Sequence, residues 1–406
     1  MNSFVKTLKF LPLLCAVLVS GCQTVTAAPQ PAQSADRFID SIGVNGGPPR
    51  RAEGVAKFRE KEMALLIESG IRHVRTDVDT HEPNTEAVYR ELGEKGIITM
   101  AIFDPRKPEW NTAHSPEQAV AMLKRVGPRY MIAEGPNEPD LVNPDYRFSY
   151  KGLQMPEKPE GVALYMKELY AAVKADSVTK SVPVVAASMG STHGTDVAKW
   201  CDFLVAHPYG PGVAPGWGFD LAAFRKEWGD KPIIISETGD HTAVYKSDGL
   251  WQPGVPEDVQ AKNTARIPFY WFKQGMHRTY IYRFNDWSDP FNSQHNFGMI
   301  RADNTPKPGY TALKSIIQLL KDPGPTYKAK PLDFALKNAS GVESVLLQKR
   351  DGRHYLALWQ NISSFDPQGL KMRDNATKKV TVTVNAPVVG ANVYAPTTNG
   401  VTPIRV

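Results

Sequence analysis

The sequence predicts an α/β fold, a (β/α)8 TIM barrel, followed by a small C-terminal all-β, sandwich-like domain. The first observation is an alternation of short β-type runs with amphipathic helical runs over residues 37–321, close to the ~250 residues that such a barrel needs. The second is that only short strand patterns remain after Pro323. The third is size: 406 residues, 42% of them hydrophobic, can bury one large core and a small one.

Each predicted barrel strand is a short apolar run. The eight strands are Phe38–Val44, His73–Asp77, Ile97–Phe103, Tyr130–Glu134, Val184–Ala187, Phe203–His207, Ile233–Glu237 and Thr279–Phe284. The helical patterns between them include Val55–Ser69, Glu86–Lys95, Pro116–Val126, Gly161–Ala175 and Ala261–Gln274. A doubly wound sheet shows the same alternation, but the glycines of Gly43–Gly47 lack the spacing of a phosphate-binding loop.

The N-terminus has the pattern of a secretion signal. Lys6 and Lys9 precede an apolar run that is too short to span a bilayer, and small residues then lead to Cys22. This segment resembles the bacterial lipoprotein cleavage box. The resemblance implies a lipoprotein signal peptide over residues 1–21 and a lipid anchor on Cys22 in the cell envelope. By resemblance to sorting rules, Gln23 implies the outer membrane of a Gram-negative bacterium.

The alternative for the N-terminus is an ordinary signal peptide that is cut after Ala27 or Ala28. Residues 22–36 are rich in Ala, Pro, Gln, Ser and Thr without periodicity, and we predict a flexible tether there.

Residues 322–406 are predicted to form the sandwich-like module. Its strands are Val345–Gln348, Tyr355–Gln360, Val380–Val384 and Ala391–Tyr394. A structural role is expected for the module, and the alternative is carbohydrate binding with Trp359 as the platform.

Composition argues against several classes of function. The formal charge of +6 is too small and too dispersed to predict nucleic-acid binding. The histidines show no metal-ligand spacing, so we predict no metal and no cofactor. Once Cys15 leaves with the signal peptide and Cys22 is lipidated, Cys201 has no disulfide partner, and we expect a buried thiol. The sequence makes no prediction of the oligomeric state.

Two glutamates lie where barrels carry their chemistry. Glu138 follows the fourth predicted strand and Glu237 ends the seventh. Catalytic groups of such barrels lie at the C-terminal ends of strands, and these two strands are roughly opposite each other. Two carboxyl groups that flank a glycosidic bond can hydrolyse it with retention, one as acid and one as nucleophile. The pair therefore predicts a glycoside hydrolase.

The Asn-Glu-Pro triplet at 137–139 and the strand-seven glutamate resemble clan A of the glycoside hydrolases, the 4/7 retaining β-glycosidases. The resemblance covers residues 37–321 and is loosely closest to family 39. It implies that Glu138 is the acid/base, that Glu237 is the nucleophile, and that Asn137 binds the sugar 2-hydroxyl.

The same resemblance implies four further site residues. Arg75 would keep the nucleophile ionised, His207 and Tyr209 would lie beside it, and Trp287 would be the sugar-stacking floor. Simple electrostatics agrees, because two glutamates in one site must titrate apart and a neighbouring cation lowers a carboxyl pKa. Glu134 ends the fourth strand, ahead of the triplet, and is predicted to form a structural ion pair.

The expected function is a retaining β-glycosidase that acts on a cell-surface or extracellular polysaccharide or oligosaccharide. Aromatic residues in the strand-to-helix loops are candidates for outer sugar subsites: Trp110, Trp217, Trp251 and Phe291. Two alternatives remain open: a catalytically silent carbohydrate-binding envelope lipoprotein, and a transglycosylase that uses the same covalent intermediate.

Overall fold

The computed structural model describes most of the chain. The described residues are 29–46, 55–78, 85–106, 114–141, 147–189, 194–210, 212–243, 252–287 and 289–404. The predicted signal peptide, Cys22 and residues 22–28 of the predicted tether lie outside them. Within these ranges no helix has the length and apolar character needed to cross a membrane.

Eight parallel strands alternate with helices. After a first helix α1 (Ala35–Asp40), the strands are β1 (Ile42–Asn45), β2 (His73–Asp77), β3 (Ile98–Ile102), β4 (Met131–Glu134), β5 (Val184–Val185), β6 (Leu204–Ala206), β7 (Ile233–Thr238) and β8 (Arg278–Ile281). The helices that follow them in turn are α2 (Val55–Ser69), α3 (Thr85–Glu94), α4 (Pro116–Val126), α5 (Glu160–Ala175), α6 (Gly194–Ala198), α7 (Leu221–Trp228), α8 (Glu257–Lys273) and α9 (Pro308–Leu320).

The strands form a barrel whose hydrogen-bonded order is β5-β4-β3-β2-β1-β8-β7-β6. Main-chain bonds also join β5 to β6: Ala186 N–H donates to the Phe203 carbonyl at 2.9 Å, and Asp202 N–H donates to the Val184 carbonyl at 2.6 Å. The strands are mostly buried because the helices cover their outer faces; every residue of β7 is buried. The (β/α)8 prediction is confirmed, and all eight strand C-termini open onto one face.

The predicted first strand is wrong at its start. Residues of Ala35–Asp40 form a helix, because Ser34 caps it through its side chain and Asp36 lies in the first turn. Phe38 turns inward and stacks on Phe269 of α8, with 4.4 Å between ring centroids. An apolar run this short does not distinguish a helix from a strand by periodicity.

The C-terminal module is all-β, as predicted. Its strands are β9 (Phe334–Lys337), β10 (Glu343–Gln348), β11 (His354–Trp359), β12 (Phe365–Asp366), β13 (Lys371–Met372) and β14 (Thr381–Val384). Three antiparallel pairs form, β9 with β14, β10 with β11, and β12 with β13. In place of the predicted strand at Ala391–Tyr394 there is a single bridge between Val393 and Ile404.

The last part of the predicted tether is ordered on this module. Residues Gln33–Ser34 pair in parallel with Leu347 and Gln348 of β10, and Gln30 pairs with Leu332. The edge of β10 offers main-chain donors and acceptors that this segment satisfies, so residues 30–34 are a strand-like addition to the module.

Two predictions about single residues have clear outcomes. Trp359 is only 8% exposed and its ring lies 5.9 Å from that of Phe269, so it packs between module and barrel and is not a carbohydrate platform. Cys201 is a buried free thiol, as predicted, and burial raises its pKa to about 11.

Candidate active site

The barrel brings six of the seven predicted site residues together at the C-terminal ends of its strands. They come from β2, from the segment after β4, from the segment after β6, and from β7. The six are Arg75, Asn137, Glu138, His207, Tyr209 and Glu237. Since consecutive strands of a parallel barrel end on one face, residues far apart in sequence meet there.

Arg75 is the centre of the cluster. Its Nη1 donates to Glu237 Oε1 at 2.6 Å and to Asn45 Oδ1 at 2.9 Å, and its Nη2 donates to Asn137 Oδ1 at 2.6 Å. The guanidinium also forms a bidentate pair with Glu134, at 2.6 and 2.9 Å. A planar fork with five N–H groups suits this simultaneous contact better than an ammonium group would.

Glu134 is fully buried beneath the site and forms the structural ion pair that we predicted. Burial raises its pKa, and Arg75 partly offsets that effect. Its two oxygens are both bound to Arg75, so Glu134 orients the guanidinium and does not face a substrate.

Glu237 is held as a carboxylate. Its Oε1 accepts from Arg75, and its Oε2 accepts from the Tyr209 hydroxyl at 2.7 Å. Burial alone would raise the pKa of Glu237, but the charges of His207 and Arg75, together with the hydrogen bonds from Tyr209 and Arg75, hold it below its ordinary value. The arrangement suits a group that must be ionised near neutral pH.

Glu138 has a different environment from Glu237. Its side chain is 29% exposed, against 10% for Glu237, and its Oε1 lies 2.7 Å from His207 Nδ1. Its backbone is in the left-handed region, with φ of 42°, and its N–H donates to Ser188 Oγ at 2.9 Å. Such a conformation costs about 1–3 kcal/mol for a non-glycine residue, so the surrounding contacts must impose it.

His207 lies between the two carboxylates. Its Nδ1 is 2.7 Å from Glu138 and 3.8 Å from Glu237, while Nε2 is 2.7 Å from Ser236 Oγ. Burial lowers the pKa of His207, but Glu237 and Glu138 outweigh that effect and raise it overall. Both glutamates therefore favour the protonated form of the histidine.

Sequence reasoning missed several residues of this cluster. Asn45 ends β1 and donates to the Ser236 carbonyl at 2.8 Å. Ser188, just past β5, binds the Glu138 N–H. Arg106, after β3, donates to the Asn137 carbonyl. The rule that strand ends carry function would have found all three.

The aromatic predictions have mixed outcomes. One face of Trp287 is covered by the Arg283 guanidinium, 4.0 Å from the ring centroid, so this ring offers a sugar at most its other face. Tyr282, directly after β8, has its ring 6.4 Å from that of Tyr209, which donates to Glu237. Trp217 and Phe291 are 60% and 68% exposed on the loops after β6 and β8, as outer subsites require. Trp110 and Trp251 lie outside the described residues.

Glu138, His207 and Glu237 also offer ligand atoms within 4.8 Å of one another, a spacing at which a cation could bind. The cluster already contains the Arg75 cation, and His207 has one nitrogen bonded to Ser236 and a raised pKa. A metal would need these groups deprotonated and would be repelled by the guanidinium. The donor set suits hydrogen-bonded carboxylates better than a metal centre.

Comparison with known proteins shows the fold. No protein-family model and no curated protein matches the chain. A family 39 glycoside hydrolase from Bacteroides cellulosilyticus WH2 superposes with a TM-score of 0.53 at 15% identity, covering 91% of this chain and 88% of that chain. An endo-laminarinase from Formosa Hel1_33_131 superposes with a TM-score of 0.50 at 18% identity, covering 67% of this chain and 86% of that chain.

Proposed function

We propose that this protein is a retaining β-glycosidase that hydrolyses an O-glycosidic bond by double displacement. The observation that carries the proposal is the spacing of its two carboxylates: an oxygen of Glu138 lies within 4.8 Å of an oxygen of Glu237. Retaining enzymes hold their carboxyl groups ~5–5.5 Å apart, whereas inverting enzymes need ~6.5–9.5 Å to admit a water molecule between sugar and base.

In the first step Glu237 attacks the anomeric carbon. The bond to the leaving oxygen breaks, its electron pair stays on that oxygen, and the proton of Glu138 is transferred to it. Arg75 and Tyr209 keep Glu237 ionised and aim its oxygens. The product of this step is a covalent glycosyl-enzyme ester.

In the second step Glu138 acts as the base. It takes a proton from water, the hydroxyl oxygen bonds to the anomeric carbon, and the ester electrons return to Glu237. Formation of the ester removes the negative charge of Glu237 from beside Glu138. His207, 2.7 Å from Glu138 Oε1, holds that carboxyl in place through both steps.

Asn137 is oriented for the sugar 2-hydroxyl. Its Oδ1 accepts from Arg75 at 2.6 Å and from Ser188 Oγ at 3.3 Å, so the amide oxygen is directed into the protein. The Nδ2 group is then left to donate towards a substrate oxygen. A hydrogen bond to the 2-hydroxyl strengthens in the transition state and contributes several kcal/mol.

The proposed substrate is a β-linked carbohydrate polymer or oligomer at the cell surface or outside it. Its support is the exposure of Trp217 and Phe291 on two loops of the catalytic face, because sugar rings pack their apolar faces on aromatic rings. We further propose a lipid anchor at Cys22 in the outer membrane, on the resemblance of residues 19–22 to a lipoprotein box.

The experiment that tests the function is a screen of residues 23–406 against β-linked aryl glycosides and polysaccharides, with Glu138→Gln and Glu237→Gln alongside. NMR of the first-formed product anomer decides between retention and inversion. Products longer than the substrate would assign transglycosylation. Binding without cleavage by the folded protein would assign the silent-binder role and overturn the enzyme proposal.

The pH dependence of turnover tests the role of Tyr209. In Tyr209→Phe the pKa of Glu237 rises, because a hydrogen bond to the ionised form is lost. The acid limb of kcat/KM should therefore move to higher pH, with about a tenfold loss at pH 4, the size expected of a charge-assisted hydrogen bond. Tyr310→Phe is the control, since it removes a bond to the Leu65 carbonyl between α9 and α2. Equal profiles for the two variants would contradict the assignment.

Chelation tests the metal-free mechanism. Incubation with EDTA should leave kcat/KM unchanged within about twofold, because Arg75 and Tyr209 supply the stabilisation that a cation would otherwise give. Loss of turnover in EDTA that one added divalent cation restores would instead make Glu138, His207 and Glu237 a metal site.

A further inference from the structure

Three polar side chains outside the catalytic cluster form a buried chain from the end of β7 into α8. Asp240, three residues after Glu237, accepts a hydrogen bond from Asn263 Nδ2 at 2.7 Å, and Asn263 Oδ1 accepts one from Arg266. All three residues are buried. The double displacement does not use them, so their burial needs another explanation, because buried polar groups are costly unless they satisfy one another.

The far end of this chain is the C-terminal module. Arg266 Nη1 donates to the main-chain carbonyls of Gln360 at 3.0 Å and Ile362 at 2.7 Å. Both acceptors belong to residues 360–365, which we call the module loop. Because the acceptors are main-chain atoms, Arg266 fixes the path of the module loop whatever its side chains are.

The module loop also contacts the loop between β6 and α7. Asn361 Nδ2 donates to the Pro215 carbonyl at 3.0 Å, and Ser363 Oγ accepts from the Ala214 N–H at 3.3 Å. These contacts lie five to six residues beyond Tyr209, the residue that binds Glu237.

Two further contacts join the same elements. Asn263 Nδ2 donates a second bond to the Val213 carbonyl at 3.1 Å, so one amide joins the β6–α7 loop to Asp240. Phe365, at the end of the module loop, forms a separate buried apolar cluster with Val255, at the end of the loop after β7, and Val259, in the first turn of α8. The module thus holds the loops after β6 and β7 by polar and apolar contacts together.

We propose that the module loop is a positioning element of the active site. It holds the loops that follow β6 and β7, which adjoin Tyr209 and Glu237, and Arg266 and Asn263 transmit its position to them. The C-terminal module is then a structural part of the catalytic face. This inference rests on the proposed glycosidase function only in its kinetic test; the hydrogen-exchange test is independent of that function.

The main test variant is the double substitution Asn361→Ala with Ser363→Ala, which removes two side-chain contacts and leaves the buried chain intact. Arg266→Met removes the main-chain contacts, and Arg266→Lys retains a cation. Glu343→Gln is the matched control: it breaks the exposed Lys273–Glu343 ion pair, which also joins α8 to the module, away from these loops. Kinetics on an aryl glycoside and hydrogen exchange of peptides 208–219 and 238–243 are measured for each.

We expect kcat of the double variant and of Arg266→Met to fall by about 10- to 100-fold with KM changed less than about twofold, since small displacements of reacting groups have effects of that size. Exchange in the two peptides should accelerate by about tenfold or more. Arg266→Lys should recover part of kcat, and Glu343→Gln should match the wild type.

Wild-type kcat and exchange in the double variant would overturn the proposal, as would equal losses in Glu343→Gln. If the wild type cleaves no glycoside, exchange alone decides the positioning role, and only the proposed function fails.

Discussion

Replacing Glu237 by alanine is expected to lower turnover of a β-glycoside by roughly 10⁴- to 10⁶-fold, the range found when a covalent nucleophile is removed from an enzyme. Sodium azide should restore part of this activity on an aryl glycoside with a good leaving group. The reason is that the deleted carboxylate leaves a small space lined by the donors of Arg75 and Tyr209, which suit an anion.

The stereochemistry of the azide product identifies the residue. In Glu237→Ala, azide attacks in place of the nucleophile, on the face opposite the departing β-linked group, and gives the α-glycosyl azide. In Glu138→Ala, azide attacks the covalent intermediate and gives the β-glycosyl azide. The second variant is the matched control, because it differs only in which carboxyl is missing. Unimpaired hydrolysis by Glu237→Ala, or the β-azide from it, would remove Glu237 from the nucleophile role.

Arg75→Met is expected to have the largest effect on stability. The variant leaves Glu134 and Glu237 buried without their cation, and breaking a buried pair from one side costs about 3–5 kcal/mol. Turnover should fall as well, because Glu237 would lose the charge and the hydrogen bond of Arg75 that help His207 and Tyr209 to keep it ionised. Urea unfolding at pH 7, compared with wild type, measures the loss in free energy of unfolding.

The sign of the pH dependence provides a second test of Arg75. Without the guanidinium, burial favours the protonated form of both carboxyls, so the folded state loses stability as the pH rises above their unfolded pKa values. The difference from wild type should therefore shrink as the pH falls towards 4. The double variant Arg75→Met with Glu134→Gln should recover part of the stability and none of the activity. A constant difference across the pH range would show that lost packing, and not charge, dominates.

Much of the barrel and of the site could be predicted from the sequence, because the strands are recognisable as apolar runs and the site residues lie at the ends of those strands. The alternation of apolar runs predicts eight strands, and Glu138 and Glu237 follow from the rule that strand ends carry chemistry. The start of β1 could not be predicted in this way. Phe38 and Ile39 belong to an apolar run that fits either element, and the cap from Ser34 decides for the helix.

The outcomes of the aromatic predictions depend on loop geometry and on how the module packs against the barrel. Tyr282 and Trp287 both follow β8, and only the path of that loop places Tyr282 beside Tyr209 and Trp287 against Arg283. Trp359 lies in a short strand, where a binding platform could face solvent. Packing of the module against Phe269 of α8 buries it instead. Such outcomes depend on contacts between distant segments, which propensity and periodicity do not encode.

The ion pairs of Arg75 have a consequence for charge balance. One guanidinium faces two carboxylates, Glu134 and Glu237, so before a sugar binds these three groups together carry one negative charge in excess. An oxocarbenium-like transition state brings the positive charge that would cancel it. Once the ester has formed, Arg75 and Glu134 balance each other alone. These three groups alone are then balanced in the transition state and in the ester, and in the empty enzyme their excess negative charge is available to the positive charge of the neighbouring His207.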